Sequence, residues 1–240
     1  MVKLPDKFDP TLEALKTAVE NEAAKEKPRT YIGASGIGFD CSRKIWYGYN
    51  GYKQEPRGWI CVAAAEDGHR SEDLYIKRLR MVEGIELHTE DENGEQYGFD
   101  LGFFQGHYDG IIRGLLQCPE TWHIWEHKAM NDTKFKKAIK AKRDFGEELA
   151  LKNWDMIYYC QAILYMYFEE IDRHYMTIST AGGRDVISIR TKANPKLAKG
   201  LIEKAKRIHK AKEAPDRMWH KEYFECKWCD FYTECYKGEK

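Results

Sequence analysis

Residues 106–128, GHYDGIIRGLLQCPETWHIWEHK, constrain this chain more than any other stretch. Two apolar runs, 106–116 and 121–128, read as strands, and Pro119 lies in their connection. Paired as a hairpin, they bring Asp109 beside Glu126 and Lys128. Side chains two apart on a strand share a face, so Glu126 and Lys128 point one way and His127 the other. The sheet must therefore accept two carboxylates and an ammonium at one spot. Taken alone, the D-x(16)-E-x-K spacing is common, and a surface ion pair at a strand end satisfies it equally well.

Around this stretch the chain alternates helices and strands. Residues 8–27 predict a helix capped by Asp9, with Pro10 at its first position and Leu12, Leu15, Ala18 and Val19 at helical spacing. Residues 31–39, YIGASGIGF, are glycine-rich and read as a loop; they lack the GxxxxGK[ST] pattern of a phosphate-binding loop. A short helix over 40–49 carries Cys41 near its start. A longer helix over 60–82 carries Gly68, His69 and Glu72. Residues 84–89 and 96–104 predict two strands around the turn Asp91-Glu92-Asn93-Gly94, which makes a meander of about four strands with the central pair. Asn131-Asp132 predicts the cap of a helix ending near Arg143, and Asn153 the cap of a helix over 154–170. That second helix is apolar on most sides and is expected to be buried. A hairpin over 174–179 and 185–191, a basic helix over 195–212 and a cysteine-rich tail over 219–235 complete the chain.

Two hard carboxylate ligands suit Mg²⁺ or Mn²⁺, which keep several waters and take one or two carboxylates from a protein. A lysine beside such an ion can orient water or stabilise charge on a transition state. Gln161 and Tyr165 are four apart, on one face of the apolar helix. A buried glutamine needs polar partners, either in a site or from core backbone. Glu72 is a third acidic candidate with His69 near it; a solvated helix face is the alternative reading of both.

The composition bounds what such a site can belong to. With 240 residues, 42% hydrophobic and 13% aromatic, the chain can bury a sizeable core, which argues against disorder. A net charge of zero argues against a uniformly basic nucleic-acid coat. No window approaches the roughly 20 apolar residues of a membrane span. The start, MVKLPDKFDP, lacks the apolar stretch of a secretion signal, so the reducing cytosol is the expected compartment. There, seven cysteines bind metal or act catalytically more often than they form disulfides.

The ordered set Gly68-x-x-x-Glu72, Asp109-Gly110, Glu126-x-Lys128 and Gln161-x-x-x-Tyr165 resembles the RecB-like branch of the PD-(D/E)XK nuclease superfamily. Tyr108 stands where the superfamily's name has proline. The resemblance implies an α/β, restriction-endonuclease-like mixed sheet flanked by helices. It also implies metal-dependent phosphodiester hydrolysis, with exonuclease action on DNA ends in phage or CRISPR-related processing. In these terms Asp109, Glu126 and Glu72 (or His69) hold Mg²⁺ or Mn²⁺. Lys128 activates water, Gln161 positions Lys128 or the water, and Tyr165 supports that face or contacts a phosphate. Protein partners of this kind are a second copy of the chain or a recombination or CRISPR protein.

Cys226-x-x-Cys229-x(5)-Cys235 presents three thiols within ten residues and calls for a fourth ligand, for which Cys41 is the best candidate. Four thiolates suit a [4Fe–4S] cluster or Zn²⁺, with His220 an alternative zinc ligand. One cysteine against three, split across the chain, reads as a clamp joining its two ends. This resembles the iron–sulfur nucleases of the same branch, including CRISPR adaptation nucleases and AddB. The expected organisation is one nuclease domain over 1–240, with its core at about 60–192 and cluster-binding elements at about 35–50 and 219–236. Cys61, Cys118 and Cys160 are expected as small buried hydrophobes.

An approach surface is also legible. Lys134, Lys136, Lys137, Lys140, Lys142 and Arg143 form a basic cluster suited to backbone phosphates. Trp154, Tyr158 and Tyr159 are candidates for stacking on unpaired bases, with ordinary core packing as the alternative. Two other functions fit parts of the pattern: a non-catalytic DNA-end-binding or assembly module of the same fold, and a zinc-binding nucleic-acid protein.

Overall fold

The computed structural model describes residues 9–238. Helix α1, Pro10–Ala23, starts at Asp9, whose carboxylate accepts from the Thr11 and Leu12 N–H groups at 3.0 and 3.1 Å. Phe8, expected as part of this helix, lies outside the described residues. Then follow β1 (Ile32–Gly33), α2 (Ser42–Tyr49), α3 (Trp59–Leu79), β2 (Glu86–His88), β3 (Gly98–Asp100), β4 (Phe104–His107), β5 (Gly110–Arg113) and β6 (His123–Met130). The second half holds α4 (Asp132–Trp154), α5 (Met156–Phe168), β7 (Arg173–Thr180), β8 (Val186–Lys192), α6 (Pro195–Lys210), α7 (Phe224–Lys227) and α8 (Tyr232–Cys235). Among the described residues, no helix is long and apolar enough to cross a membrane.

The strands form two sheets, in the orders β1-β4-β3 and β2-β5-β6-β7-β8. In the larger one β6 and β7 run parallel and the other pairs antiparallel. With helices flanking these mixed sheets, the class is the α/β arrangement expected. The meander is not. Strands β2 and β3, expected as a hairpin, keep one bridge, Glu90 to Gln96, and join different sheets. Burial decides this. Leu87 of β2 lies opposite Ile112 of β5 and packs with Tyr75 and Trp125 beneath α3. Phe99 of β3 instead packs on Phe104, and its ring stacks on Phe168 of α5 at 3.9 Å. The glycine-rich segment is also more than a loop, because β1 pairs in parallel with β4.

The helices after β6 differ at their ends from the sequence pattern. α4 runs past Arg143 to Trp154, broken at Gly146, whose φ is 73° and ψ 172°. Asp155, rather than Asn153, caps α5, accepting from the Ile157 and Tyr158 N–H groups at 3.0 and 3.1 Å. The Asn153 amide instead donates to the Leu149 carbonyl at 2.9 Å. α5 is the central helix of the core, with Tyr159 through Met166 all buried. Ile163 and Leu164 are essentially inaccessible, and full burial of one such side chain contributes roughly 1.5–3 kcal/mol.

Candidate active site

The sheet register performs the convergence that the spacing suggested. Gly110 pairs with Trp125, which sets Asp109 beside Glu126. Asp109 is fixed there by a backbone bond, the His127 N–H donating to its Oδ2 at 2.7 Å. Lys128 Nζ donates to Glu126 Oε2 at 2.5 Å. A cleft of about 420 Å³ opens between α3, β1, β4, β6 and α5, and all seven expected residues line it: His69, Glu72, Asp109, Glu126, Lys128, Gln161 and Tyr165. Within it the Gln161 amide donates to the Tyr165 hydroxyl at 2.8 Å, so the buried glutamine is satisfied by the other residue of its pair rather than by core backbone.

The electrostatics are those of crowded acids. Burial pushes the Glu126 carboxyl up to about 8, the Asp109 carboxylate adds to this, and the Lys128 charge opposes it. Glu72 rises to about 7, again from burial first and Asp109 second. Burial alone acts to neutralise Lys128, but Glu126 and Asp109 outweigh it and hold the ammonium above its usual range. Burial and the nearby Glu126 carboxylate keep the Tyr165 phenol protonated well beyond the ordinary tyrosine range.

These residues fit a divalent cation. Glu126 is 1% exposed, and its Oε1 is buried without a hydrogen-bond partner among the described residues. A bare carboxylate oxygen in such a place is costly unless something positive meets it. Among the described residues no three His, Cys, Asp or Glu side chains stand close enough to cage a metal unaided. Mg²⁺ and Mn²⁺ do not need such a cage, because water completes their octahedron.

Arg29, Tyr31, Ser35 and His107 also line the cleft and escaped sequence reasoning. The first three arrive through the parallel pairing of β1 with β4, two strands separated by about seventy residues, and no local pattern announces that pairing. His107 belongs to β4, which the sequence divided between two expected strands.

The basic cluster is partly engaged in the fold. Lys134 pairs with Asp155 at 2.8 Å and lies over the Tyr158 ring at 4.6 Å. Lys142 pairs with Glu147 at 3.0 Å and Arg143 with Asp144 at 2.9 Å. Lys136, Lys137 and Lys140 remain exposed. Of the aromatic candidates, Tyr159 is buried and cannot stack on a base. The Trp154 indole donates to the Lys134 carbonyl at 3.1 Å, and Tyr158 lines the cleft.

The cysteines gather where the two ends of the chain meet. Cys41 precedes α2 as its cap residue, and Lys44 pairs with Asp230 at 2.8 Å. Burial raises the Cys229 thiol pKa, with Cys41 close enough to add a smaller push the same way. The Tyr236 hydroxyl donates to Cys226 Sγ at 3.3 Å. Among the described residues no three of these thiols stand close enough to hold an ion as they are. His220 is exposed, its ring edge-on to Tyr223. Of the remaining cysteines Cys160 is buried and Cys118 half-buried, but Cys61 is exposed. It lies in the first turn of α3.

No family model matches the chain, and no curated protein matches it. Solved structures do. The crystal structure of SSO0001 matches with a TM-score of 0.50 at 15% identity, over 95% of this chain and 96% of that one. The alkaline exonuclease LHK-Exo from Laribacter hongkongensis matches with a TM-score of 0.51 at 13% identity, over 82% of this chain and 90% of that one. LHK-Exo in complex with dAMP matches with the same TM-score at 12% identity and the same coverage. The chain therefore has the fold of an alkaline exonuclease.

Proposed function

We propose that this chain is a Mg²⁺- or Mn²⁺-dependent deoxyribonuclease that hydrolyses phosphodiester bonds from DNA ends. The observation that carries the reading is Glu126, one oxygen clamped by Lys128 and the other bare, with Asp109 and Glu72 in the same cleft. The shared fold with an alkaline exonuclease supports it. Asp109 and Glu126 hold the cation, with Glu72 or His69 as the further ligand. A bound cation would polarise the phosphodiester and acidify a coordinated water. Lys128, kept charged by its carboxylate neighbours, orients the attacking water and donates to oxygens that gain negative charge as the bond from water to phosphorus forms and the ester bond breaks. Gln161, through Tyr165, keeps the α5 wall of the cleft in place. The exposed lysines of α4 would meet the phosphate backbone.

The test is degradation of end-labelled single- and double-stranded DNA with Mg²⁺ or Mn²⁺, wild type against Lys128→Ala. Shortening from one end by the wild type and none by the variant is expected. DNA binding without degradation by metal-loaded wild type on every substrate would replace the enzyme with an end-binding module.

We further propose that Cys41, Cys226, Cys229 and Cys235 hold a [4Fe–4S] cluster that closes the two ends of the chain on each other. The convergence of both ends on one corner supports it. Anaerobically purified protein should be brown; colourless protein carrying zinc would favour Zn²⁺ at the same thiols.

A further inference from the structure

Between Glu126 and Lys128 stands a residue to which the hydrolysis assigns no role. The alternation of β6 turns the His127 ring to the opposite face of the sheet, against α3. There it is 4% exposed and stacks on Tyr75, ring centroids 4.2 Å apart. Both ring nitrogens are engaged. Nδ1 lies 2.9 Å from Thr177 Oγ1 on β7, and Nε2 lies 2.8 Å from Ser71 Oγ on α3.

A second hydroxyl, Ser179 Oγ on β7, lies 3.3 Å from Nε2 and 3.1 Å from Ser71 Oγ. The Trp125 indole donates to Thr177 Oγ1 at 3.1 Å, and the Thr177 hydroxyl lies 3.4 Å from the Glu126 carbonyl. Thr177 Oγ1 has a single hydrogen, for that carbonyl or for Nδ1, so the ring is tied at both nitrogens in either tautomer. Nε2 and the Ser71 hydroxyl are hydrogen-bonded in either case. Ser71 is 4% exposed and immediately precedes Glu72. The residues flanking His127 are Glu126 and Lys128. One buried bond thus joins the neighbour of the helix acid to the centre of the strand motif, across 56 positions of sequence.

We propose that His127 and Ser71 form a clasp that sets the spacing between Glu72 on α3 and the Glu126–Lys128 pair on β6, so that both acids can serve one divalent cation. His127 is in these terms a positioning residue. The proposal rests on reading the cleft as a metal site, and its test separates the two. Mn²⁺ binding to the whole protein is titrated without DNA, with free Mn²⁺ followed by its paramagnetic resonance signal. Ser71→Ala and His127→Leu should each weaken Mn²⁺ binding by about tenfold or more, the scale on which outer partners of metal ligands act. Combining them should weaken it no further than His127→Leu alone, where the bond to Ser71 is already lost. His127→Gln, whose amide reaches toward the Nε2 position, should restore most of the affinity. Thermal unfolding of each variant reports folding independently, and Ser71→Ala, which deletes one oxygen, serves if His127→Leu does not fold. Unchanged affinity in folded Ser71→Ala overturns the clasp. So does Mn²⁺ binding that Glu126→Gln fails to weaken, since the cation is then elsewhere. Wild type that binds Mn²⁺ through Glu126 but degrades no DNA ends the nuclease reading, and the clasp still stands or falls on the same titration.

Discussion

The two oxygens of Glu126 are treated differently: Oε2 meets Lys128 at 2.5 Å and Oε1 has no hydrogen-bond partner among the described residues. Removing the Lys128 amine should therefore do two things. It takes away the donor to the reacting oxygens, and it removes the charge that opposes protonation of Glu126. Lys128→Ala should lower DNA degradation by roughly 10²–10⁴-fold, measured as initial rate at saturating Mg²⁺. The acids also predict a pH dependence of stability. Glu126 moves from 4.5 to about 8 on folding and Glu72 from 4.5 to about 7. Between those limits the folded protein binds more protons than the unfolded chain, so stability falls as pH rises. Below about 4.5 both states are protonated and above about 8 neither is, so the change is confined to that window. In chelator, the thermal midpoint of Glu126→Gln should gain on the wild type as pH is raised from 5 to 8. Mg²⁺ should reverse the trend in the wild type, because the cation takes the place of the protons. A difference in midpoint that stays flat with pH would show that Glu126 is ionised without metal.

At the scale of elements, one glycine sets the path of α4. Gly146 has φ 73° and ψ 172°, a region essentially closed to residues with a Cβ. Nothing among the described residues lies within 4 Å of a Cβ built there, so the requirement is conformational and not a matter of space. Gly146→Ala should lower stability by roughly 1–3 kcal/mol, read from urea unfolding, while the isolated strain leaves Mn²⁺ affinity unchanged. Gly106 in β4 is the opposite case. Its φ is ordinary, but an added Cβ would lie 2.6 Å from Ala34 Cβ and 2.7 Å from Tyr165 Cε1. Gly106→Ala should thus displace α5 and with it the Gln161–Tyr165 pair, lowering both stability and nuclease rate. Equal loss of rate from both glycine variants would show that stability alone, and not the position of Tyr165, governs activity.

Across the whole molecule, the two ends are joined by contacts that are individually weak. Lys44–Asp230 is partly exposed, and such pairs contribute little. Phe231, 3% exposed, packs its ring against Tyr47 and adds an apolar contact between the ends. A cluster bound by Cys41 and the three C-terminal cysteines would close a loop of nearly the whole chain, the situation in which a cross-link restricts the unfolded state most. Cys226→Ala should abolish the visible absorbance of the purified protein and lower its thermal midpoint, while the cleft residues keep their arrangement. A coloured Cys226→Ala protein would remove that thiol from the ligand set.

Much of the site was legible because its chemistry is local in pattern. Glu126 and Lys128 share a strand face by alternation, Gln161 and Tyr165 share a helix face by their spacing of four, and Asp109 needed only one hairpin. The burial of α5 followed from the same periodicities, while the α/β class came from the resemblance that the ordered motifs carry. Three features were out of reach for a common reason. The separation of β2 from β3 depended on which core took Leu87 and which took Phe99. The entry of Arg29, Tyr31 and Ser35 into the cleft depended on the parallel pairing of β1 with β4. The tie from Ser71 to His127 depended on α3 lying against β6. Period and spacing describe how one segment repeats against itself. Which distant segment covers its buried face is decided only when the chain closes its cores, and that choice gave Glu126 its bare oxygen and its neighbours.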